Sequence, residues 1–246
     1  MKLHISIKAE PIFHAFGIPI TNSMLLTFVV IILFTLTAIN YRSNATKEKK
    51  NTLFYFITFL LKSIYTLFES ILGKHIDTFF ALLASFFFFI MLENWFGLLP
   101  GVGSLLINIG EAGKSEMVPL LRAGTADLNT TIALALISVI LIQYYGVKFL
   151  GVGGYLSKFF NFKSPIDFFT GILEIVSEFS KVISFSFRLF GNVFAGEVLI
   201  LVIAFLIPWL ASAPFLLLEI FVGLIQALVF AMLTGVFINL AITKHH

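Results

Sequence analysis

The chain has 246 residues, of which 59% are hydrophobic and 12% are charged, and its formal net charge is +3 at pH 7. An average soluble domain carries about 25% charged residues, so a soluble domain of this size could not cover so much apolar surface. Disorder is excluded for the same reason, and nucleic-acid binding is disfavoured because basic and stacking aromatic side chains do not cluster at a solvated surface. The composition therefore predicts a polytopic membrane protein.

The first predicted elements are an external N-terminal segment over residues 1–20 and a first span over residues 21–42. About 20 apolar residues are needed to cross about 30 Å of hydrocarbon, and the second range supplies them. Residues 53–72 are also apolar, but Lys62 and Glu69 lie seven residues apart and therefore share one helical face. This pattern favours an amphipathic helix lying at the membrane interface, with a short spanning helix as the alternative.

Two further spans are predicted in the middle of the chain. Residues 76–99 form the second span, and residues 93–95 mark its approach to the far interface, where Trp is enriched. Residues 101–127 are expected to form a loop. Residues 128–150 form the third span, with Asp127 as its expected N-cap.

The last part of the chain, residues 166–242, is predicted to form a long helical hairpin. Pro165 stands where a helix would begin, and the 41 residues that follow contain no Pro. A straight helix of that length would measure about 60 Å, twice the thickness of the hydrocarbon core, so it must be strongly tilted. The predicted fold is thus an all-α polytopic membrane protein with about five transmembrane helices, one interfacial amphipathic helix and a long tilted hairpin at the end.

Loop charges orient the chain by the positive-inside rule. Ten basic residues fall on one side, namely Arg42, Lys47, Lys49, Lys50, Lys62, Lys74, Lys148, Lys158, Lys163 and Lys244. Four fall on the other side, namely Lys2, Lys8, Lys114 and Arg122. This bias predicts an external N-terminus and a cytoplasmic C-terminus in a multi-pass protein of the plasma or inner membrane.

Polar residues concentrate inside the terminal hairpin, although a charged side chain at mid-membrane costs about 2.5–3.5 kcal/mol on insertion scales. They are Glu174, Glu178, Lys181, Ser184, Arg188, Asn192, Glu197, Glu219 and Gln226. Helical spacing places four of them on one stripe, namely Glu174, Lys181, Arg188 and Asn192. Glu197 lies on the face opposite Arg188, about 13 Å further along the axis. Glu219 and Gln226 share a face of the last helix.

This arrangement is suited to ion translocation. An Arg cannot lose its proton in a protein and acts as a fixed electrostatic barrier, whereas Glu197 and Glu219 can bind and release protons where water reaches them. Plainer roles exist for several residues: an ion pair between Glu178 and Lys181, a structural pair of Glu197 and Glu219 sharing a proton, and an ordinary interhelical hydrogen bond for Gln226. Glu174 is compatible with either ion pairing or the lining of a water path.

The sequence FSFRLFGNVFAGE at residues 185–197 resembles the signature of subunit a of F-type ATP synthases, S-x-x-x-R-L-F-G-N-x-x-A-G-E. Further similar segments are ITNS at residues 20–23, ENWFGLLP at residues 93–100 and TADLNTT at residues 125–131. The resemblance covers nearly the whole chain in order, and the Arg-containing motif is highly specific.

The resemblance implies a stator subunit that is not catalytic alone and packs against a rotating ring of c subunits, with peripheral-stalk b subunits as further partners. Arg188 would face the essential carboxylate of the ring and separate two offset half-channels. Asn192, Glu197, Glu219 and Gln226 match residues of ion access in the family, and Glu174 and Ser184 match positions nearer the cytoplasmic half-channel. Proton translocation is expected, and no cofactor or metal is; the ring largely decides between H⁺ and Na⁺.

Two rival classes predict different surroundings for Arg188. A self-contained secondary transporter would use Arg188 to bind an anionic substrate and would turn that side chain into its own bundle. An intramembrane hydrolase finds no support, because no Ser–His or Asp–Asp pair occurs at mid-span depth.

Overall fold

The computed structural model describes residues 9–15, 17–99, 101–102, 105–109, 116–159, 164–206 and 212–243. Most of these residues are helical, which confirms the predicted all-α class. The six helices are α1 (Asn22–Ala45), α2 (Thr52–Leu72), α3 (Ile76–Gly97), α4 (Leu128–Leu156), α5 (Pro165–Leu206) and α6 (Ser212–Ile242). In this part of the chain, five helical stretches are long and apolar enough to cross a bilayer, with α2 and α3 falling within one of them. The protein is therefore a multi-pass membrane protein.

Two short antiparallel hairpins add to the helices. Strand β1 (Pro11–Ala15) pairs with β2 (Ile18–Thr21), and β3 (Leu106–Ile109) pairs with β4 (Glu116–Pro119). Gly17 has a φ of 80° in the first turn, a backbone conformation that residues with a Cβ rarely adopt. The sequence pattern predicts no strands in these two regions, because runs of four or five residues are too short for strand periodicity to be distinguished.

Helices α2 and α3 are separate helices joined by a 3-10 turn at Gly73–His75, where Gly73 has a φ of 50°. On α2, the buried side chains Ile64 and Phe68 pack towards the bundle, while Lys62 and Glu69 are exposed. The placement of α2 at the membrane interface stays a prediction.

Helix α4 begins with Asp127 as its N-cap, as expected, because the Asp127 carboxylate accepts a hydrogen bond from the backbone N–H of Asn129 at 3.0 Å. The helical stretch continues to Leu156 but changes direction at Gly151, which has a φ of 75°. Beyond this kink Tyr155 folds back over Gly146, where any side chain would overlap the Tyr155 ring.

The core forms where α3 packs on α6 and where α4 packs on both α5 and α6. Small residues let these helices approach closely: Ala227 and Ala231 of α6 are fully buried, and a methyl group on Gly235 would lie 2.9 Å from Leu83. The Ser138 and Thr234 hydroxyls form a buried hydrogen bond of 2.9 Å that joins α4 to α6. This packing fixes α6 against three helices and so positions the polar side chains that it carries.

Candidate ion-translocation site

Arg188 lies on the side of α5 that faces away from the helix bundle. Phe185 and Leu189 are almost fully buried on the packed side of the same turns, whereas Arg188 is exposed. The Arg188 Nη2 atom donates a hydrogen bond of 3.1 Å to the Ser184 hydroxyl, one helical turn earlier. The side chain is therefore held along the helix, and its charge remains accessible from outside the bundle.

An exposed and largely apolar strip surrounds Arg188. Asn192 lies four residues later and is also exposed, as the shared stripe predicts. Ile183 and Phe187 are 59% and 55% exposed, respectively, and Leu199 extends the strip. We call the exposed side of α5 formed by Ile183, Ser184, Phe187, Arg188, Asn192, Ala195 and Leu199 the Arg188 face.

A second arginine, Arg122, binds the carboxylate that follows on α5. The Arg122 Nε and Nη2 atoms both donate to Glu197 Oε2, at 3.2 Å and 3.1 Å. The Arg122 guanidinium also lies over the Phe194 ring, 5.9 Å from its centroid. Arg122 is only 6% exposed, while the Glu197 side chain is 35% exposed. The pair holds the Glu197 carboxylate in one position and leaves part of the Glu197 side chain exposed.

Sequence reasoning missed this role of Arg122, which was counted only as an external loop charge. The pair joins positions 75 residues apart, so no helical spacing could reveal it. The available signal was its position just ahead of the motif TADLNTT at residues 125–131.

Glu219 of α6 contacts α5 at Gly196, immediately before Glu197. A methyl group at position 196 would overlap the Glu219 carboxyl group, so the absence of a side chain there lets this carboxyl reach the α5 backbone. The structure thus brings Arg122, Glu197 and Glu219 to one level of the bundle, and Glu197 faces away from Arg188 as its spacing predicts. Gln226 lies two turns beyond Glu219 on α6 and is half-buried.

The end of α3 is joined to the turn of α6 that carries Glu219. Asn94 donates to the carbonyl oxygen of Gly223 at 2.9 Å and accepts from the Thr125 hydroxyl at 2.7 Å. The Trp95 indole N–H donates to the carbonyl oxygen of Ile220 at 3.0 Å. The sequence predicted residues 93–95 only as the approach to an interface and as part of a family motif. Their hydrogen bonds join α3 to α6 and to the residues before α4. We call Arg122, Glu197, Glu219, Asn94 and Thr125 the polar layer.

The polar residues near the beginning of α5 form ion pairs. Glu178 accepts from Lys181 at 2.7 Å, which confirms the predicted pair, and also from the Gln143 amide at 2.8 Å. Glu174 pairs with Lys158 at 2.5 Å. Fourteen residues separate Glu174 from Arg188, about 21 Å along a helix axis, so the structure does not bring these two side chains together.

A metal centre finds no support in the described ranges of the chain. These residues contain no group of three or more His, Cys, Asp or Glu side chains that could hold a metal ion. The chemistry available to the polar layer and the Arg188 face is that of carboxylates, amides, hydroxyls and guanidinium groups.

Comparison with known proteins places this geometry in a family. The family model described as ATP synthase A chain matches residues 22–239. ATP synthase subunit a of Moorella thermoacetica is 31% identical over 232 residues, which cover 94% of this chain and 95% of that protein. The Desulforamulus reducens subunit a is 37% identical over 58% of this chain and 56% of its own length. The chloroplastic subunit a of Stigeoclonium helveticum is 37% identical over 67% of this chain and 61% of its own length.

Proposed function

Because this chain belongs to the ATP synthase A chain family and is a multi-pass, ion-translocating component of the membrane sector of ATP synthase, we propose that Arg188 couples proton flow to rotation of a ring of c subunits. In this proposal two offset half-channels carry protons to and from the ring, and Arg188 separates them. The single observation that carries the proposal is the outward position of Arg188 on an exposed apolar face.

The Arg188 face suits a partner helix with an ionisable carboxylate. Its apolar side chains would pack against the apolar surface of a ring helix, while the guanidinium would attract a carboxylate that has lost its proton. A protonated carboxyl has no charge and would not be retained, so it could move on into the lipid. Since Arg188 stays protonated, it would also block the direct passage of protons between the half-channels.

The polar layer supports an external half-channel on the opposite side of α5. Glu219 would bind and release protons there, with Gln226 as a further lining residue, and Asn192 would line the end of this half-channel that meets the Arg188 face. Glu197 would contribute its solvent-accessible surface, and Arg122 would fix the position of its carboxylate. The Gly196 contact gives Glu219 access to α5, the helix that also carries Arg188.

For the cytoplasmic half-channel we propose Glu174 and Ser184. Ser184 bonds directly to Arg188 and is exposed on the same face. Glu174 is partly exposed beside Lys158, so its carboxylate is not closed off inside the bundle. This assignment requires an external N-terminus and a cytoplasmic C-terminus, which is the orientation that the basic loop residues favour. Peripheral-stalk b subunits would complete the stator.

The rival function, a self-contained secondary transporter with Arg188 binding an anionic substrate, predicts an arginine inside its own bundle. An exposed Arg188 is less compatible with such a pocket, because a bound anion there would remain in contact with lipid or a partner chain. The ring partner therefore fits this geometry better.

The test is Arg188→Ala in the assembled ATP synthase in inverted membrane vesicles. We expect ATP-driven proton pumping and proton-driven ATP synthesis to be abolished, while the amount of assembled complex stays unchanged, because Arg188 is exposed and its hydrogen bond goes to Ser184 of its own helix. Arg42→Ala, at the exposed end of α1, is the matched control and should pump normally. Pumping retained by Arg188→Ala would refute the assignment of Arg188.

A further inference from the structure

Glu93 is a carboxylate that neither the ion pairs nor the proposed half-channels use. It lies near the end of α3, and its side chain is 0% exposed. Its Oε2 atom accepts a hydrogen bond of 3.1 Å from the backbone N–H of Gly124. Its Oε1 atom is buried and has no hydrogen-bond partner among the described residues.

Thr27 of α1 presents a second buried oxygen at the same point. The Thr27 hydroxyl adjoins the Glu93 carboxyl but forms no hydrogen bond of good geometry with it or with any other group in the described part of the chain. A methyl group on Gly124 would overlap this hydroxyl and would lie 2.6 Å from Glu93 Oε2. The absence of a side chain at Gly124 therefore lets the Thr27 hydroxyl and the Glu93 carboxyl occupy the space beside its Cα atom.

The surroundings of this space are polar. The Ser23 hydroxyl donates to Asp127 at 2.8 Å, and the Thr125 hydroxyl donates to Asn94 at 2.7 Å. A buried water typically bonds about three polar groups that would otherwise be unsatisfied. The Glu93 carboxyl and the Thr27 hydroxyl, side by side in a polar setting, provide such groups.

The charged groups on neighbouring elements have other partners. Asp127 bonds to Ser23, Arg122 pairs with Glu197, and Glu219 lies against Gly196. The hydrogen bond that Glu93 accepts comes from a neutral backbone N–H. Because a buried carboxylate without a cation is costly, the neutral acid is the favoured form of Glu93.

The position of Glu93 ties it to the polar layer. The next residue, Asn94, bonds to Gly223 on the turn of α6 that follows Glu219. Gly124, which bonds to Glu93, lies two residues after Arg122. Glu93 is thus linked to the segment after Arg122 through its own carboxyl, and to the helix that carries Glu219 through its neighbour Asn94.

We propose that Glu93 is a further proton-binding residue of the external inlet, where it shares one bound water with Thr27. The neutral carboxyl gives its proton to the inlet and is then protonated again by an excess proton that arrives through the bound water, so both groups return to their neutral forms. The inference rests on the proposed function, since it adds a residue to the same external half-channel.

The experiment uses Glu93→Gln in the assembled ATP synthase, which keeps the shape of the side chain but removes its exchangeable acid proton. In inverted vesicles, proton-driven ATP synthesis is measured while the pH of the lumen, which corresponds to the external side, is varied. We expect a rate several-fold lower than that of the wild type and a flatter dependence on lumenal pH. Glu69→Gln, on the exposed side of α2, is the matched control and should keep the wild-type profile.

Thr27→Val and Thr27→Ser separate proton binding from simple packing. Valine removes the hydroxyl that would hold the water, and we expect a weaker form of the Glu93→Gln profile, which serine should reverse. If Glu93→Gln failed to assemble, an altered pH profile in Thr27→Val would still support the proposal. A wild-type pH profile in every assembled variant would overturn it.

The Arg188→Ala vesicles distinguish this inference from the proposed function. Loss of transport in Arg188→Ala together with an unchanged Glu93→Gln profile would overturn only the role of Glu93. Normal transport in Arg188→Ala would overturn the proposed function itself, and the role of Glu93 with it.

Discussion

Arg122 and Arg188 carry the same side chain in opposite surroundings. Arg122 is almost fully buried, and two of its nitrogen atoms donate to one oxygen of Glu197. Arg188 is exposed, and its hydrogen bond goes to the neutral Ser184 hydroxyl of its own helix. The Arg122 charge is thus paired within the chain, while the Arg188 charge is available to a partner chain.

The difference teaches what burial does to a fixed charge. A buried cation must be paired, because an unpaired charge in a low-dielectric interior is costly. Such a pair positions residues but cannot easily exchange partners. An exposed guanidinium on an apolar face pays less to be unpaired and can therefore meet and release a carboxylate that arrives from outside. Stability should depend on Arg122, and transport should depend on Arg188.

The largest expected difference between the two arginines is in stability. Arg122→Ala leaves Glu197 without its cation, and removing one partner of a fully buried pair costs about 3–5 kcal/mol. Since the Glu197 side chain is 35% exposed and water screens it, we expect about 2 kcal/mol. The measurement is the apparent Tm at which this subunit is lost from the purified ATP synthase complex.

Arg122→Lys is the matched variant for this prediction. Lysine keeps the positive charge but lacks the two donors that reach Glu197 Oε2, so the loss in apparent Tm should be smaller than for alanine. Arg188→Ala should leave the apparent Tm unchanged. An equal loss of Tm in Arg122→Ala and Arg188→Ala would contradict the division of tasks between the two arginines.

Local sequence patterns predicted the Arg188 face but not the polar layer. Arg188 and Asn192 share a stripe because helical geometry links positions four apart, and the bounds of α5 follow from Pro165 and a long apolar run. The partners Arg122 and Glu197 come from distant segments that only the folded chain brings together. Glu93 was predicted to lie near an interface and within a family motif, but its burial could not be predicted because it depends on α1 and on the residues before α4.

The next prediction concerns Gly196, the contact between Glu219 and the helix that carries both Arg188 and Glu197. A methyl group in Gly196→Ala would overlap the Glu219 carboxyl, but this group is the flexible end of a side chain and can move aside. We therefore expect the complex to assemble and proton-driven ATP synthesis to fall several-fold. A lower rate of ATP synthesis in Gly196→Ala would show that transport depends on the polar layer as well as on Arg188.

Gly153→Ala in α4 is the control for this change, since a methyl group there would meet no atom within 4 Å. It should leave both assembly and transport unchanged. If Gly196→Ala also retained the wild-type rate, close approach of Glu219 to α5 would be irrelevant to transport, and the polar layer would be reduced to a structural role.

The smallest effect is expected at Lys158, whose pair with Glu174 is partly exposed on both sides and so lies between the two arginines in its surroundings. Lys158→Met keeps most of the side-chain length and removes the charge, and partly exposed ion pairs are worth about 0–1 kcal/mol. We expect the apparent Tm of Lys158→Met to fall by less than that of Arg122→Ala. A double-mutant cycle with Glu174→Gln measures the coupling directly. If the coupling between Lys158 and Glu174 were as strong as that between Arg122 and Glu197, partial exposure would not weaken the Lys158–Glu174 pair. Burial could then not explain why Arg122 and Arg188 differ.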